Sequence, residues 1–264
     1  MDKRADRAEG AAGTEAGDIV PEESSASSRG PADLAAGIVA RDIFLACAAH
    51  DLRNPMTPIL GQVQRLGRML DQREMDRDRM RHGMQRLESL VQLYIMRATT
   101  LLDVASLTSG QFHLRFARCN VADVIHGALE MHHRMAHLAQ ARIRMGAPDV
   151  LTAIVDPAAL AQVVNNLLLD IVTFSADSEL RIALDGDAEH FRLVLGGACV
   201  VIPDDILIRL HQRFEHAFSD PARTSFDAGL WVAGQLIRIM SGTAGVGGPA
   251  SEVKLWIRFP RFPS

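Results

Sequence analysis

Leu45 to Leu70 reads LACAAHDLRNPMTPILGQVQRLGRML, and its spacing decides the fold. Leu45, Leu52, Ile59 and Leu66 stand seven residues apart, and Met56, Val63 and Leu70 form a second series of the same period. Together they make an a/d seam, because seven residues are close to two helical turns and return to the same helix face. A polar break follows at Asp71, Gln72, Arg73 and Glu74. A second seam then runs through Met80, Met84, Leu87, Val91, Tyr94, Ala98, Leu101 and Ala105 in alternating steps of four and three. Two helices of about 30 residues joined by a short turn form an antiparallel hairpin. One hairpin covers only half of its own seam, so two chains are expected to pair as a homodimer into a four-helix bundle. On pattern alone, a bundle closed within the chain by later helices stays open as the alternative.

Upstream, residues 1–36 contain almost no large apolar side chains and cannot offset the entropy of ordering. They read as a disordered tail, too short for a sensory domain, so input is expected through a partner. Downstream of Gly110 the periodicity becomes mixed. Strands are predicted over Phe112–Phe116, Ala141–Met145, Val150–Asp156, Glu179–Leu184, His190–Gly196 and Val253–Phe259, with a short strand near Val246. Asp185, Gly186 and Asp187 supply the turn between two of them. Helices are predicted from Val121 to about Leu138, from Pro157 to about Phe174, from about Pro203 and from Gly229 to Met240. Pro157 suits a first helical turn, where a missing N–H has no partner to lose. The fold class is α+β: residues 37–110 a helical hairpin, residues 111–264 a two-layer α/β sandwich.

Composition narrows the function. The 264 residues carry a formal net charge of −4, which argues against a surface built to coat nucleic acid. Cys47, Cys119 and Cys199 have no metal-ligand spacing, and their odd number fits a reducing compartment. No run approaches the roughly 18 apolar residues of a membrane span, and no apolar segment marks a signal peptide. A cytoplasmic location without a membrane span is the expectation.

The segment Ala48-Ala49-His50-Asp51-Leu52-Arg53-Asn54-Pro55 carries the chemistry. With Leu52 and Ile59 at d and Met56 at a, His50 falls at b and Asn54 at f, one turn apart on an exposed face. Asp51 can accept the proton of one ring nitrogen and so raise the nucleophilicity of the other. Asn54 can hold a water or an attacking group beside the imidazole. Pro55 removes a backbone donor and should kink the helix below the histidine. On residues alone, an exposed histidine beside an aspartate is an ordinary surface feature. His-Asp-Leu-Arg-Asn-Pro ahead of a heptad helix, however, resembles the H-box of two-component sensor histidine kinases. Leu101-Leu102-Asp103-Val104-Ala105-Ser106-Leu107-Thr108-Ser109-Gly110 resembles that family's exit from the dimerisation domain. The resemblance covers residues 40–264, strongly in the hairpin and patchily beyond it. It implies that His50 carries a phosphoryl group, Asp51 acts as base and Asn54 matters for phosphatase activity. It further implies a C-terminal domain of the histidine-kinase ATPase type, with ATP and magnesium as cofactors.

The nucleotide motifs of that resemblance are eroded. The run from Asp156 to Asp170 is similar to the N-box, with Asn166 on its first asparagine and Asp170 on the second, which in the family binds magnesium. A carboxylate is still a competent hard ligand. Thr173 stands where a basic residue is common. The next motif normally reads Asp-x-Gly-x-Gly-Ile-Pro; alignment on Ile202-Pro203 puts Gly197 where the adenine-accepting aspartate belongs and Cys199 and Val201 where glycines belong. Arg213-Phe214-Glu215-His216-Ala217-Phe218 resembles the F-box. In Ser225-Phe226-Asp227-Ala228-Gly229-Leu230 only Gly229 survives of three phosphate-cradling glycines, and Asp227 adds negative charge. ATP and magnesium binding is therefore expected to be weak or absent.

His133 and His137 lie at i, i+4 without a third ligand, and read as helix surface. Cys47 reads as a small core residue, and Met75, Met80, Met84 and Met96 as bundle filling. Three functions follow. The first is phosphoryl exchange at His50 with the aspartate of a response-regulator receiver domain, the phosphate coming from another histidine kinase or a phosphorylated partner. The second is autokinase activity with Asn166, Asp170 and Gly229 at a divergent ATP site. The third is a non-enzymatic regulator acting by protein–protein binding. An anti-sigma serine kinase shares the ATP-binding fold but would need neither the hairpin nor His50.

Overall fold

The computed structural model describes residues 31–71, 76–139, 142–174, 179–197, 200, 202–217, 228–248 and 253–262. The hairpin is built from α1 (Pro31–Arg53), α2 (Met56–Leu70) and α3 (Arg77–Thr108). α1 begins at Pro31, so residues 31–36, expected to belong to a disordered tail, form its first turns. A proline opening a helix loses no bond there.

The first seam is one helix in register but two in hydrogen bonding. Asn54 N–H still donates to His50 O at 3.0 Å, while Pro55 donates nothing, and helix resumes at Met56. The d row turns inward: Leu66 is buried, and its Cδ2 lies 2.6 Å from where a Cβ on Gly83 would stand. The helices therefore touch through a residue without a side chain. Gln62 Nε2 donates to Gly83 O at 2.8 Å across the same contact. α3 starts at a well-made cap, with Asp76 Oδ1 accepting from the N–H groups of Asp78 and Arg79, each at 3.0 Å. The a row stays exposed. Met56, Leu60, Val63 and Leu70 on α2, and Met84, Val91, Ile95 and Leu102 on α3, make an apolar stripe that this chain does not cover. α3 is long and apolar enough to cross a membrane by length and composition, although the sequence reading found no such run; here it packs on α2 and α8.

The second unit has a five-stranded sheet in the order β2-β4-β5-β7-β6. Its strands are β2 (Arg142–Gly146), β4 (Glu179–Gly186), β5 (His190–Gly196), β6 (Thr243–Gly247) and β7 (Lys254–Pro260). β2 runs parallel to β4, and the other pairs are antiparallel. Alternation is clean, with Leu180, Ile182, Leu184, Phe191, Leu193, Leu195, Leu255, Ile257 and Phe259 buried on one face. That face is covered by helices, the second layer comprising α4 (Val121–Ala139), α5 (Pro157–Phe174) and α8 (Ala228–Ile239). Short helices α6 (Ile206–His211) and α7 (Phe214–Ala217) join them. A separate ladder pairs β1 (Ala117–Asn120) with β3 (Thr152–Val155).

Two expectations shift. Residues 112–116 form no strand: β3 is only four residues long and its ladder is filled by Ala117–Asn120, while Arg115 N–H is taken by Asp156 Oδ2 at 2.7 Å. The β4–β5 turn sits later than expected, at residues 187–189, because Asp187 Oδ1 accepts from the N–H groups of Glu189 and His190.

Helix α3 joins the two units. Its last third lies against α8, Thr100 Oγ1 reaches Asn166 Oδ1 at 3.2 Å, and Gln162 donates to Asp103. α1 adds an aromatic contact, Phe44 edge-on to Phe214 at 6.2 Å, and Phe214 in turn edge-on to Trp231 at 5.7 Å. Burial at this joint pushes the Asp103 carboxyl up to about 6, partly offset by the Gln162 bond.

Asp103→Asn keeps an acceptor for Gln162 and removes the buried charge. A carboxyl whose folded pKa lies above its unfolded value favours the fold while protonated, and that contribution is lost as pH rises through about 6. Melting curves should therefore show the variant gaining on the natural chain as pH rises from about 4 to about 6, with no gain at the acid end and a constant advantage above pH 7. Gly234→Ala should cost about 3 kcal/mol in denaturant unfolding, because its Cβ would stand 1.7 Å from Leu210 O in α6.

Candidate functional site

The last turn of α1 brings His50, Asp51 and Asn54 together. His50 Nδ1 lies 3.4 Å from Asp51 Oδ1, and Asn54 Nδ2 lies 3.2 Å from His50 Nδ1 and 3.3 Å from Nε2. A neutral imidazole has one N–H and one lone pair. Asp51 Oδ1 can accept from an Nδ1–H, which leaves the Nε2 lone pair to solvent, while the Asn54 amide lies nearly equidistant from the two ring nitrogens, beside the ring. The His50 side chain is 53% exposed and that of Asp51 only 20%, so the ring faces solvent while its orienting carboxylate is partly sheltered. Pro55 directly beneath is buried. The helix break thus sits one residue past Asn54, where it leaves the i, i+4 pairing of His50 and Asn54 intact.

The residues aligned with nucleotide motifs lie on the helical layer and at the strand ends. Asn166 is 1% exposed on α5; its Oδ1 meets Thr100, and its Nδ2 has no hydrogen-bond partner. Gly229, in the first turn of α8, stands against it: a Cβ there would be 3.5 Å from Asn166 Cβ. Asn166 and Gly229 are therefore neighbours. Asp170 lies on α5, and its side chain, like that of Thr173, falls outside the described residues, as do Cys199, Val201 and Ser225–Asp227. Gly197 follows β5 with φ 157°, and a Cβ on it would come within 2.1 Å of Glu179 O. Any side chain at that position would run into the backbone of β4. The F-box-like residues form α7, with Phe214 serving as the aromatic bridge to α1.

Three groups at this place have no signal in the sequence. Thr100, Asp103 and Gln162 tie α3 to α5 across 59 and 66 residues of chain, a separation that no local spacing rule reports. Among the described residues no cluster of three His, Cys, Asp or Glu could hold a metal ion. His133 and His137 have side chains outside the described set, while their neighbour His132 is buried with Nε2 3.1 Å from Asn165 Oδ1. Cys47 is buried in the α1 packing face.

Comparison with known proteins agrees with this geometry. Residues 40–98 match the His Kinase A (phospho-acceptor) domain. The virulence sensor protein BvgS of Bordetella pertussis is 27% identical over 218 residues, covering 77% of this chain and 17% of that protein. The sensor protein VanS of Enterococcus faecium is 27% identical over 188 residues, covering 69% of this chain and 46% of VanS. The chain thus spans less than half the length of either relative. In fold, the Acinetobacter baumannii histidine kinase AdeS superposes with a TM-score of 0.52 at 17% identity, over 80% of this chain and 98% of that one. Full-length ShkA in complex with AMPPNP gives a TM-score of 0.53 at 18% identity, over 82% of this chain and 46% of that one. With residues 40–98 matching a phospho-acceptor domain and an α/β domain of the fold seen in histidine kinases behind them, the chain is similar to a two-component sensor histidine kinase core.

Proposed function

We propose that this core exchanges a phosphoryl group between His50 and the aspartate of a response-regulator receiver domain, with its own nucleotide site weak or silent. The observation that carries the reading is a contrast. The acceptor has a solvated ring flanked by Asp51 and Asn54, whereas the position of the adenine-accepting carboxylate is a glycine with no room for any side chain. A lost buried acceptor alone costs roughly 1–3 kcal/mol of adenine binding. Full-length ShkA is in complex with AMPPNP in a related fold; Gly197 of this chain stands where the resemblance expects the adenine-accepting aspartate. The residues present do not fit the expected nucleotide.

The transfer needs few parts. The Nε2 lone pair attacks the phosphorus of a receiver's aspartyl phosphate; an N–P bond forms, the acyl O–P bond breaks, and its electron pair leaves on the aspartate carboxylate. The Nδ1 proton stays shared with Asp51, which stabilises the charge that develops on the ring. Asn54 donates towards the atoms around Nε2. The reverse sequence returns the group to a receiver. Two chains would pair through the exposed apolar stripes of α2 and α3, closing the four-helix bundle. The hairpin, through Gly110, is the acceptor unit; residues 111–264 serve as the platform that holds it, in a cytoplasmic setting.

A second reading, autophosphorylation with an unusual nucleotide pose and Asp170 on magnesium, rests on the buried, unpartnered Nδ2 of Asn166.

Purified chain mixed with phosphorylated receiver domains should gain an acid-labile label, and His50→Gln should gain none. Asn54→Ala should keep the label and slow its loss to water about ten-fold or more. Failure of every receiver to label His50 would end this reading. Calorimetric titration with millimolar Mg-ATP should give no binding heat, and Gly197→Asp should lower the melting temperature without restoring any. Measurable binding that supports labelling of His50 but not of His50→Gln would instead favour the autokinase.

A further inference from the structure

The five-stranded sheet has a second face. Buried side chains of β4, β5 and β7 point to the helical layer, so the residues between them point away from it. Strand register sorts these outward residues into three rows that cross the sheet. The middle row runs through paired positions: Gly146 with Ala183, Ala183 with Val194, Val194 with Trp256, and Trp256 with Gly245. To one side Arg144 pairs with Arg181, and the stem of Lys254 lies over Gly196 in the same row. To the other side Asp185 pairs with Arg192, and Arg192 with Arg258. Gly146, Arg181, Ala183, Arg192 and Arg258 are all exposed.

A solvated sheet face is ordinarily polar along its whole width. Here five adjoining positions carry no charge, and the indole N–H is their only polar side-chain group. Trp256 is half-buried because its ring lies on Gly245, where a Cβ would stand 2.3 Å from Cζ2. An aromatic ring over a cross-strand glycine shields an edge strand, which accounts for that pair without any ligand. It does not account for the remainder of the row. With the ring leaning towards β6, Gly146, Ala183 and Val194 form a low floor beside it.

The borders of that floor are charged, and cations outnumber carboxylates. Glu179 holds Arg144 at 3.5 Å and Arg181 at 3.2 Å, and Asp185 holds Arg192 at 3.0 Å. Asp187, in the turn beyond, lies within electrostatic reach of Arg258. This pattern limits the occupant. A second copy laid face to face would set guanidinium against guanidinium. A lipid surface or a nucleic acid strand brings unbroken negative charge, and would meet a carboxylate in each border. Charge along two edges with none between them is matched by an amphipathic helix. The borders stand four residues apart along a strand, about 13 Å, and a helix is about 10–12 Å across. Four strand spacings, about 19 Å, take about three helical turns. The hairpin packs on α8 and α5, on the other side of the sheet, so an occupant here leaves His50 open.

We infer that the open face of the sheet docks an amphipathic helix of a partner protein, with apolar side chains along its centre and aspartate or glutamate along both edges. The inference depends neither on phosphoryl transfer at His50 nor on the nucleotide site. Solvated pairs of this kind contribute only about 0.2–1 kcal/mol each, so the charges select the partner while the apolar row supplies the contact.

The test measures anisotropy of labelled synthetic helices of about 15 residues titrated with the full chain. A panel carries Ala, Val or Leu strips flanked by Glu; controls are the same helices flanked by Lys, proline-broken acidic peptides, and an oligothymidine. At least one acidic helix should bind at about 50 mM salt and weaken at about 200 mM, while the Lys-flanked helices do not bind. Arg181→Glu/Arg258→Glu should weaken the acidic helix about ten-fold or more and admit its Lys-flanked counterpart. Arg181→Gln/Arg258→Gln should weaken it less and admit neither, which keeps the test sharp should the reversed chain fail to fold. Ala183→Gln leaves every charge in place and raises the floor, and should also weaken binding about ten-fold or more. Melting temperatures confirm that each variant is folded. No binding by any acidic helix overturns the inference, as does affinity that neither the arginine variants nor Ala183→Gln change. Equal binding of a proline-broken peptide overturns it in favour of an extended segment. Oligothymidine binding that Ala183→Gln leaves intact, with the helices inert, overturns it in favour of a polyanion surface.

Discussion

Helix α3 is asked to satisfy two partners with one rigid rod. Its 32 residues span about 48 Å; the first half closes the hairpin against α2, and the last third packs on α8 and reaches α5. Because a helix does not bend cheaply without a proline or an inserted group, α3 ties the hairpin to the sheet domain, with the Phe44–Phe214 contact of α1 beside it. The joint is polar where it could have been apolar. Thr100 on Asn166 and Gln162 on Asp103 place directional bonds at a helix–helix contact, and one of them buries a carboxyl whose ionisation is disfavoured there. Polar joints of this kind fix register more than they add stability.

Behind that joint the second domain is closely packed. The sheet's buried face is a full aliphatic and aromatic layer, and the backbones of α6 and α8 meet at Gly234. Gly197 does not merely lack a carboxylate: its φ of 157° and the proximity of Glu179 O mean that the local backbone has settled into a form that suits glycine alone.

Much of the hairpin was legible from residues 45–105 because heptad spacing reports directly which side chains share a face, and the proline at 55 reports where the ladder must break. The triad of His50, Asp51 and Asn54 was legible for the same reason, being local to one turn. Phe112–Phe116 alternates as a strand should, yet β3 offers only four residues to pair with, and pairing is a property of the partner. The start of α1 was placed too late because residues 31–36 lack the large apolar side chains by which a helix was recognised, although Pro31 is itself a start signal. Thr100 to Asn166 and Asp103 to Gln162 were not legible at all, since side chains so far apart in sequence meet only through the tertiary fold.

The groove between α2 and α3 is of the same kind. In sequence, Arg65, Arg68, Arg79 and Arg86 are scattered through two amphipathic helices rich in both signs of charge, and each alone reads as a solvated surface residue. Folding the hairpin sets them around one concavity, while Met56, Val63 and Leu70 of α2 remain exposed as an apolar row. Heptad spacing reports the apolar row directly, because its members lie on one helix; the basic set draws on two helices and exists only once they have paired.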